Sequence, residues 1–147
     1  MKYYAYEEFK NDTRKLIQKV QVFEAQTIVG IARGGLTLAH AMAEGMNLRE
    51  VQTLRTELYD GETKRSQITV FDNSKLTHLQ RVLVVDDIAD SGETLKIVMA
   101  HLEKKYPKIE FQSATLFYKK TSVYEPHSWI NEANDWIEFF WERDFKV

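Results

Sequence analysis

The sequence predicts an α/β domain in which helices flank a mostly parallel central sheet. Three apolar segments of β type support this prediction: residues 27–32, 81–85 and 111–118. The first two are each followed by a turn and then by a helical pattern, over residues 36–46 and from about residue 93 to residue 105. Strands that alternate with helices along a chain form parallel sheets covered by helices.

The remaining segments are assigned in chain order from their periodicity. Residues 3–20 carry apolar side chains at helical spacing and predict an opening amphipathic helix. Residues 50–59 and 67–71 predict a strand and its return strand, joined by the polar, turn-prone segment 60–66. The run at 81–85 is continuously apolar after its first residue, which is typical of a strand buried on both faces. Residues 129–145 are aromatic and acidic and receive no element.

Length and composition limit the class of protein. The chain has 147 residues, of which 44% are apolar and 29% charged, so we expect one domain, 1–147, of ordinary soluble composition. Neither a membrane span nor a signal peptide is expected from the apolar pattern. The absence of cysteine excludes disulfides, thiolate zinc sites and a cysteine nucleophile, and it fits a reducing cytoplasm. The net charge of −2 argues against a protein that mainly coats nucleic acid.

The most informative segment is residues 82–95, VLVVDDIADSGETL. A buried strand is expected to end at two acids, Asp86 and Asp87, and a short loop then supplies a third acid, Asp90. Paired acids suit a divalent metal, sugar hydroxyls or a developing positive charge. The loop offers backbone N–H groups, two hydroxyls and a helix N-terminus, which together form an anion site. Helix capping and solvated acids would explain a few of these residues, but not the whole string.

This string resembles the signature with which type I phosphoribosyltransferases bind phosphoribosyl pyrophosphate (PRPP). The resemblance implies the type I phosphoribosyltransferase fold, with a small C-terminal base-binding hood and a flexible loop. It implies that Asp86 and Asp87 face the ribose hydroxyls, partly through Mg²⁺. Asp90 is also the candidate general base, near N7 of a purine. The loop around the 5′-phosphate would consist of Asp90, Ser91, Gly92, Glu93 and Thr94.

Two further segments resemble loops of the same family. Ala32-Arg33-Gly34, at the end of the first predicted strand, resembles the pyrophosphate loop, in which an arginine binds phosphate through two hydrogen bonds. Bacterial xanthine-guanine enzymes usually have serine where this chain has Ala32, so no hydroxyl contact is expected there. Residues 59–67 stand where the family has a mobile loop. Lys64 and Arg65 could reach pyrophosphate from that loop, or could be solvated charges at a hairpin tip.

The C-terminal part resembles the base-binding part of the xanthine-guanine branch. Lys119 resembles the lysine that recognises the 6-oxo group of purines, with Lys120 as its alternative. Trp136 and Ile137 resemble an aromatic-aliphatic pair of that branch, in which the aromatic ring stacks on the base and the backbone of the next residue contacts the 2-substituent. The alternative is that Trp136 is an aromatic residue of the core. Glu142 falls where that branch has an aspartate near the metal and pyrophosphate. The metal candidates are therefore Asp86, Asp87 and Glu142.

The resemblance implies a Mg²⁺-dependent purine salvage enzyme. It would transfer the 5-phosphoribosyl group from PRPP to guanine, xanthine or hypoxanthine, and it would be a homo-oligomer, either a dimer or a tetramer. A phosphorylation receiver domain also has paired acids after a strand, but only 60 residues follow Asp87, too few to complete that fold. A regulatory protein that kept the fold and binds PRPP or nucleotide together with RNA is the alternative, and the slightly acidic charge disfavours it.

Overall fold

The structure is a computed structural model that describes residues 1–60 and 66–147. Lys64 and Arg65, considered above for the mobile loop, lie outside the described residues. The described elements are, in chain order, β1 (Lys2–Tyr4), α1 (Tyr6–Val20), a short 3-10 helix (Gln21–Phe23), β2 (Thr27–Ala32), α2 (Leu36–Gly45), β3 (Val51–Asp60), β4 (Ser66–Phe71), β5 (Arg81–Ala89), α3 (Glu93–Lys105), β6 (Glu110–Tyr118), β7 (Ser128–Glu132), β8 (Ile137–Phe139) and α4 (Phe140–Arg143).

The main sheet confirms the predicted α/β architecture. Its strand order is β4-β3-β2-β5-β6-β7, and every neighbouring pair is parallel except β3 with β4. The β2–α2–β3 connection runs toward one edge of the sheet, and the β5–α3–β6 connection runs toward the other. The strand order therefore reverses between β2 and β5. In open α/β sheets, ligands bind beyond the carboxyl ends of the strands at such a reversal.

The core consists of two layers, one on each face of this sheet. Leu83 and Val85 pack with α1 and α2, whereas Val82 and Val84 pack with α3, and all four valine and leucine side chains are fully buried. This alternation confirms that the apolar run at 81–85 belongs to a strand covered on both faces. None of the helices within residues 1–60 and 66–147 is long and apolar enough to cross a membrane.

The predicted start of the first helix, at residue 3, was wrong. Tyr3 and Tyr4 belong to β1, and α1 begins only at Tyr6. The buried ring of Tyr4 packs edge-on against Phe117 and Phe139, with ring centroids 5.0 and 5.6 Å away. Strand β1 pairs in parallel with β8, a partner more than 130 residues distant. Helical periodicity within residues 3–20 contains no information about that partner.

The C-terminal residues form the small hood that the resemblance implied, together with the N-terminal strand. We define the hood as β1, β8, α4 and the connecting residues 133–136. The indole of Trp141 stacks on Phe139 at 4.6 Å with an interplanar angle of 8°. Strand β7 instead joins the edge of the main sheet beside β6. The hood is thus built from both ends of the described chain.

Candidate active site

Three cavities lie at the carboxyl end of the sheet, and Asp87 lines all of them. We name them after the segment that encloses each one. The hood cavity, about 350 Å³, includes Asp87, Asp90, Lys119, Trp136, Ile137 and Glu142. The glycine-loop cavity, about 610 Å³, includes Arg33, Gly34, Thr37, Asp87, Glu142 and Lys146. The helix-loop cavity, about 190 Å³, includes Asp86, Asp87, Asp90, Ser91, Gly92 and Thr94.

The two adjacent acids lie within strand β5, and not after its end. The prediction that the strand ends at Asp86 was wrong, because β6 continues to pair with β5 as far as Ala89 and Tyr118. Successive side chains of a strand point to opposite faces. Both acids nevertheless line the helix-loop cavity, and of the two only Asp87 also lines the hood cavity and the glycine-loop cavity. The backbone N–H of Asp87 donates to Asp86 Oδ1 at 2.8 Å, and that of Ile88 donates to Asp87 Oδ1 at 2.7 Å.

The negative charges of these two acids repel each other. Burial raises the pKa of Asp86 well above its ordinary value, and the neighbouring Asp87 charge raises it further. Burial also raises the pKa of Asp87, to about 6, although hydrogen bonds from Asp86 and from the Ile88 backbone lower it in part. The Glu142 carboxylate adds to the pKa increase of Asp87. A bound cation would relieve this repulsion and favour both ionised carboxylates.

The donor set at this position fits Mg²⁺. Asp86, Asp87 and Glu142 offer carboxylate oxygens, the ligands that Mg²⁺ prefers. In the described part of the chain no three His, Cys, Asp or Glu side chains converge into a complete metal-holding group. Mg²⁺ commonly needs only one or two carboxylates, because waters and substrate phosphates supply its other ligands. The residues present therefore suit a magnesium ion that is bound together with a phosphorylated substrate.

The glycine loop packs directly onto Asp87. A Cβ atom on Gly34 would overlap the Asp87 carboxylate, so this close approach requires glycine. Strands β2 and β5 are neighbours in the sheet, which places the loop after β2 beside the acids of β5. The peptide bond between Ala32 and Arg33 is cis. Of the three residues predicted to bind pyrophosphate, Arg33 and Gly34 line the glycine-loop cavity, whereas Ala32 does not belong to its lining.

The loop between β5 and α3 has a fixed backbone conformation. Gly92 adopts a φ of +82°, and a Cβ there would collide with Ser122 Oγ and lie 2.8 Å from the backbone nitrogen of Tyr124. The carbonyl of Ser91 accepts a hydrogen bond of 2.8 Å from Val123 N–H. Ser91 Oγ accepts one of 3.3 Å from Glu93 N–H. Of the predicted phosphate loop, Asp90, Ser91, Gly92 and Thr94 line the helix-loop cavity, and the exposed Glu93 does not.

The hood cavity brings the predicted base-binding residues together. Lys119 follows β6, and its Nζ lies 3.6 Å from Asp90 Oδ1. Trp136 is 67% exposed and lines the cavity, so it is not a core aromatic; Ile137 lines the same cavity from β8. Lys120 instead lies 3.5 Å from Glu132 and does not line the cavity. The geometry thus distinguishes the two adjacent lysines.

A comparison with known protein families identifies the family of this chain. Residues 2–146 match the family model described as phosphoribosyl transferase domain. The chain belongs to the phosphoribosyltransferase family. The resemblance found in residues 82–95 is therefore confirmed.

Individual relatives support this membership. The chain is 28% identical over 142 residues to a xanthine-guanine phosphoribosyltransferase from Idiomarina loihiensis, covering 94% of this chain and 84% of that protein. It is 30% identical over 121 residues to one from Cereibacter sphaeroides, covering 80% and 69%. The structure of Helicobacter pylori xanthine-guanine-hypoxanthine phosphoribosyltransferase superposes with a TM-score of 0.90 at 35% identity, covering 97% of this chain and 94% of that one.

Some residues of this phosphoribosyltransferase site were not found from the sequence. Thr37, Asn134, Asp135 and Lys146 line the cavities but were not among the predicted site residues. Thr37 lies in the first turn of α2, directly after the glycine loop, so a hydroxyl at that position could have been identified. Nothing in the sequence around Lys146 connects it with a loop more than 100 residues away.

Proposed function

We propose that this protein is a purine salvage enzyme that transfers the 5-phosphoribosyl group of PRPP to a 6-oxopurine and releases pyrophosphate. The observation that best supports this function is the meeting of three cavities at Asp87. PRPP has a phosphate, a ribose and a pyrophosphate, and a base must approach its ribose. Relatives named for xanthine, guanine and hypoxanthine support a purine as that base.

The hood cavity is the proposed purine site. Trp136 would stack on the base, which contributes ~1–3 kcal/mol in comparable contacts. Lys119 would donate a hydrogen bond to the 6-oxo group, and the Ile137 backbone would meet the 2-substituent. Adenine carries a 6-amino group, which would leave Lys119 without an acceptor. Sites built around such a bond reject the wrong partner strongly. The expected bases are therefore guanine, hypoxanthine and xanthine.

The other two cavities would hold PRPP. The 5′-phosphate would lie in the helix-loop cavity at the N-terminus of α3, against the backbone and hydroxyls of Ser91, Gly92, Glu93 and Thr94. Asp86 and Asp87 would bind the ribose hydroxyls. The pyrophosphate would occupy the glycine-loop cavity, with Arg33 as a bidentate donor and the backbone of Ala32 and Gly34 beside it.

The reaction is a substitution at the anomeric carbon of the ribose. The bond to the pyrophosphate oxygen breaks, its electron pair leaves with pyrophosphate, and a purine nitrogen forms the new bond. Asp90 would exchange a proton with the base, and Arg33 would hold the leaving group in position. Mg²⁺ would be held by one or two carboxylates from the set Asp86, Asp87 and Glu142, and when bound it would supply electrostatic stabilisation of the leaving pyrophosphate.

The test is release of pyrophosphate, measured with PRPP and Mg²⁺ and with guanine, hypoxanthine, xanthine, adenine, uracil and orotate in parallel. Turnover with at least one 6-oxopurine and none with adenine is expected. Turnover with adenine or a pyrimidine alone would contradict the roles of Lys119 and Trp136. A folded protein that binds PRPP without converting any base would instead favour a regulatory role. Omission of Mg²⁺ with added chelator tests the metal requirement.

Cellular location and assembly belong to the same proposal. A salvage enzyme that uses PRPP and contains no cysteine fits the cytoplasm. We expect a homo-oligomer, dimer or tetramer, and no nucleic-acid partner. Light scattering coupled to gel filtration would measure the assembly, and a monomer at micromolar concentration would contradict it.

A further inference from the structure

The glycine-loop cavity contains a second cationic side chain besides Arg33. Lys146, from the turn that follows α4, lines it together with the carboxylates of Asp87 and Glu142. The cavity thus has two cations and two anions. The sequence-based assignment of the pyrophosphate site includes Arg33, with Lys64 and Arg65 left open as further candidates, and it gives Lys146 no role.

Arg33 and Lys146 have no acidic partner in the part of the chain that the structure describes. Within residues 1–60 and 66–147, neither side chain forms a salt bridge or hydrogen bond. Other basic side chains around the site are paired: Lys119 with Asp90, Lys120 with Glu132, and Arg143 with Glu138 at 2.5 Å. Two cations that line one cavity without a salt-bridge partner in the described residues are available to pair directly with an anion there.

The turn that carries Lys146 is attached to the rest of the hood. The backbone N–H of Lys146 donates to the Arg143 carbonyl at 3.1 Å, and the backbone N–H of Asp144 donates to the Phe140 carbonyl at 2.8 Å. The Tyr3 hydroxyl lies 2.8 Å from both carboxylate oxygens of Asp144. These contacts hold the backbone beside the cavity, so only the side-chain rotamers of Lys146, and not its backbone, remain to be ordered when it binds a ligand.

We propose that Lys146 is a second pyrophosphate-binding cation, acting with Arg33 on the leaving group of PRPP and on the product pyrophosphate. Pyrophosphate carries several negative charges, more than one guanidinium can neutralise. An ammonium group binds phosphate as a point charge and complements the bidentate hydrogen bonding of an arginine. The carboxylates of the same cavity would face the accompanying divalent cation. This inference rests on the proposed function, because it assigns a residue to the pyrophosphate site of that reaction.

The experiment measures binding of pyrophosphate to the full chain by calorimetry, in the presence of Mg²⁺. The variants are Lys146→Ala, Lys146→Arg and, as a matched control, Lys108→Ala. Lys108 is an exposed lysine just before β6, at the end of the sheet away from the cavities. We expect Lys146→Ala to weaken binding about tenfold and Lys146→Arg to retain most of it. Lys108→Ala should bind like the wild type.

Steady-state kinetics provide the second measurement. Lys146→Ala should raise the KM for PRPP about tenfold while the KM for the purine stays unchanged. Pyrophosphate affinity equal to wild type in Lys146→Ala, or no pyrophosphate binding by the wild type, would overturn the inference. If the wild type converts a purine and Lys146→Ala is unaffected, only this inference fails. If no purine is converted but pyrophosphate binding depends on Lys146, the proposed function fails and the pyrophosphate site stands.

Discussion

The ammonium group of Lys119 lies 3.6 Å from the Asp90 carboxylate, at the carboxyl ends of the neighbouring strands β6 and β5. The two tasks proposed for these residues, recognition of the base and transfer of its proton, would therefore be carried out by adjacent side chains. Both side chains are at least half exposed, so replacing either one is not expected to disturb the core. Substitution can separate the two tasks.

Replacement of Asp90 should affect turnover more than binding. Asp90→Asn removes the proposed proton acceptor, and general bases typically contribute about 10²–10⁴-fold to a rate. We expect kcat to fall at least 100-fold, with the KM for PRPP changed less than about threefold. Glu103→Gln, an exposed acid of α3, is the matched control. An unchanged kcat in Asp90→Asn would remove Asp90 from the mechanism.

Replacement of Lys119 should weaken discrimination between purines. In Lys119→Ala the 6-oxo group loses its donor, so kcat/KM for guanine or hypoxanthine should fall by about 10–100-fold. The preference over adenine should shrink accordingly. Lys120→Ala changes the adjacent lysine, which pairs with Glu132 outside the hood cavity, and should keep nearly full activity. Parallel assays with guanine and adenine measure both effects, and the reverse result would identify Lys120 as the recognising residue.

A methyl group on residue 34 should disrupt the site without unfolding the protein. In Gly34→Ala the new Cβ overlaps the Asp87 carboxylate and must displace it or the glycine loop. We expect the KM for PRPP to rise by about tenfold or more. Gly45→Ala is the control, because its Cβ meets only the end of the flexible Ile17 side chain. Wild-type kinetics in Gly34→Ala would show that the position of Asp87 is unimportant.

The raised pKa of Asp87 predicts a cost in stability at neutral pH. Its pKa is about 6 in the folded protein, against about 3.9 in unfolded chains, so the folded state binds more protons between these values. The free energy of unfolding should therefore fall as the pH rises through this window. Asp87→Asn should be more stable than the wild type by about 1–3 kcal/mol at pH 7.5, and inactive. Denaturation without Mg²⁺ at pH 4 and 7.5 measures this, and a less stable variant at pH 7.5 would contradict it.

Asp72, which lies outside the active site, predicts the opposite dependence of stability on pH. Burial alone raises its pKa, but hydrogen bonds from Ser74, His101 and Lys105 lower it to about 2. Its contribution to stability is therefore present above pH 4 and is lost as the pH falls toward 2. We expect Asp72→Asn to lower the free energy of unfolding by about 1–3 kcal/mol at pH 7.5 while kcat remains unchanged. Chemical denaturation and a standard assay measure the two quantities. Equal stability would show that these hydrogen bonds contribute nothing.

Local sequence patterns were sufficient for the strands and helices of the main sheet. The run at 81–85 is apolar because β5 is covered on both faces, and this burial is visible in the residue types themselves. The string from Asp86 to Thr94 was equally informative, since these residues are contiguous and the cavity they line is formed by one loop. The glycine loop with Arg33 was found for the same reason.

Elements that depend on distant partners were not predictable in this way. Strand β1 forms because Tyr4 packs on Phe117 and Phe139, and the end of β5 is set by its pairing with β6. The choice between Lys119 and Lys120 depended on which side chain turns toward the hood. Lys146 lines the glycine-loop cavity from the turn after α4, where the Tyr3 hydroxyl of β1 donates to Asp144.

The sequence by itself determined the family, the main elements of the sheet, and the acids and glycine loop that line the cavities, because each of these is contained in one short segment. The tertiary structure decided that the three cavities meet at Asp87, that the hood includes the N-terminal strand, and that Lys146 lines the same cavity as Arg33. These relationships join residues up to more than 100 positions apart. They arise from strand pairing and side-chain packing between distant segments, which local periodicity does not record.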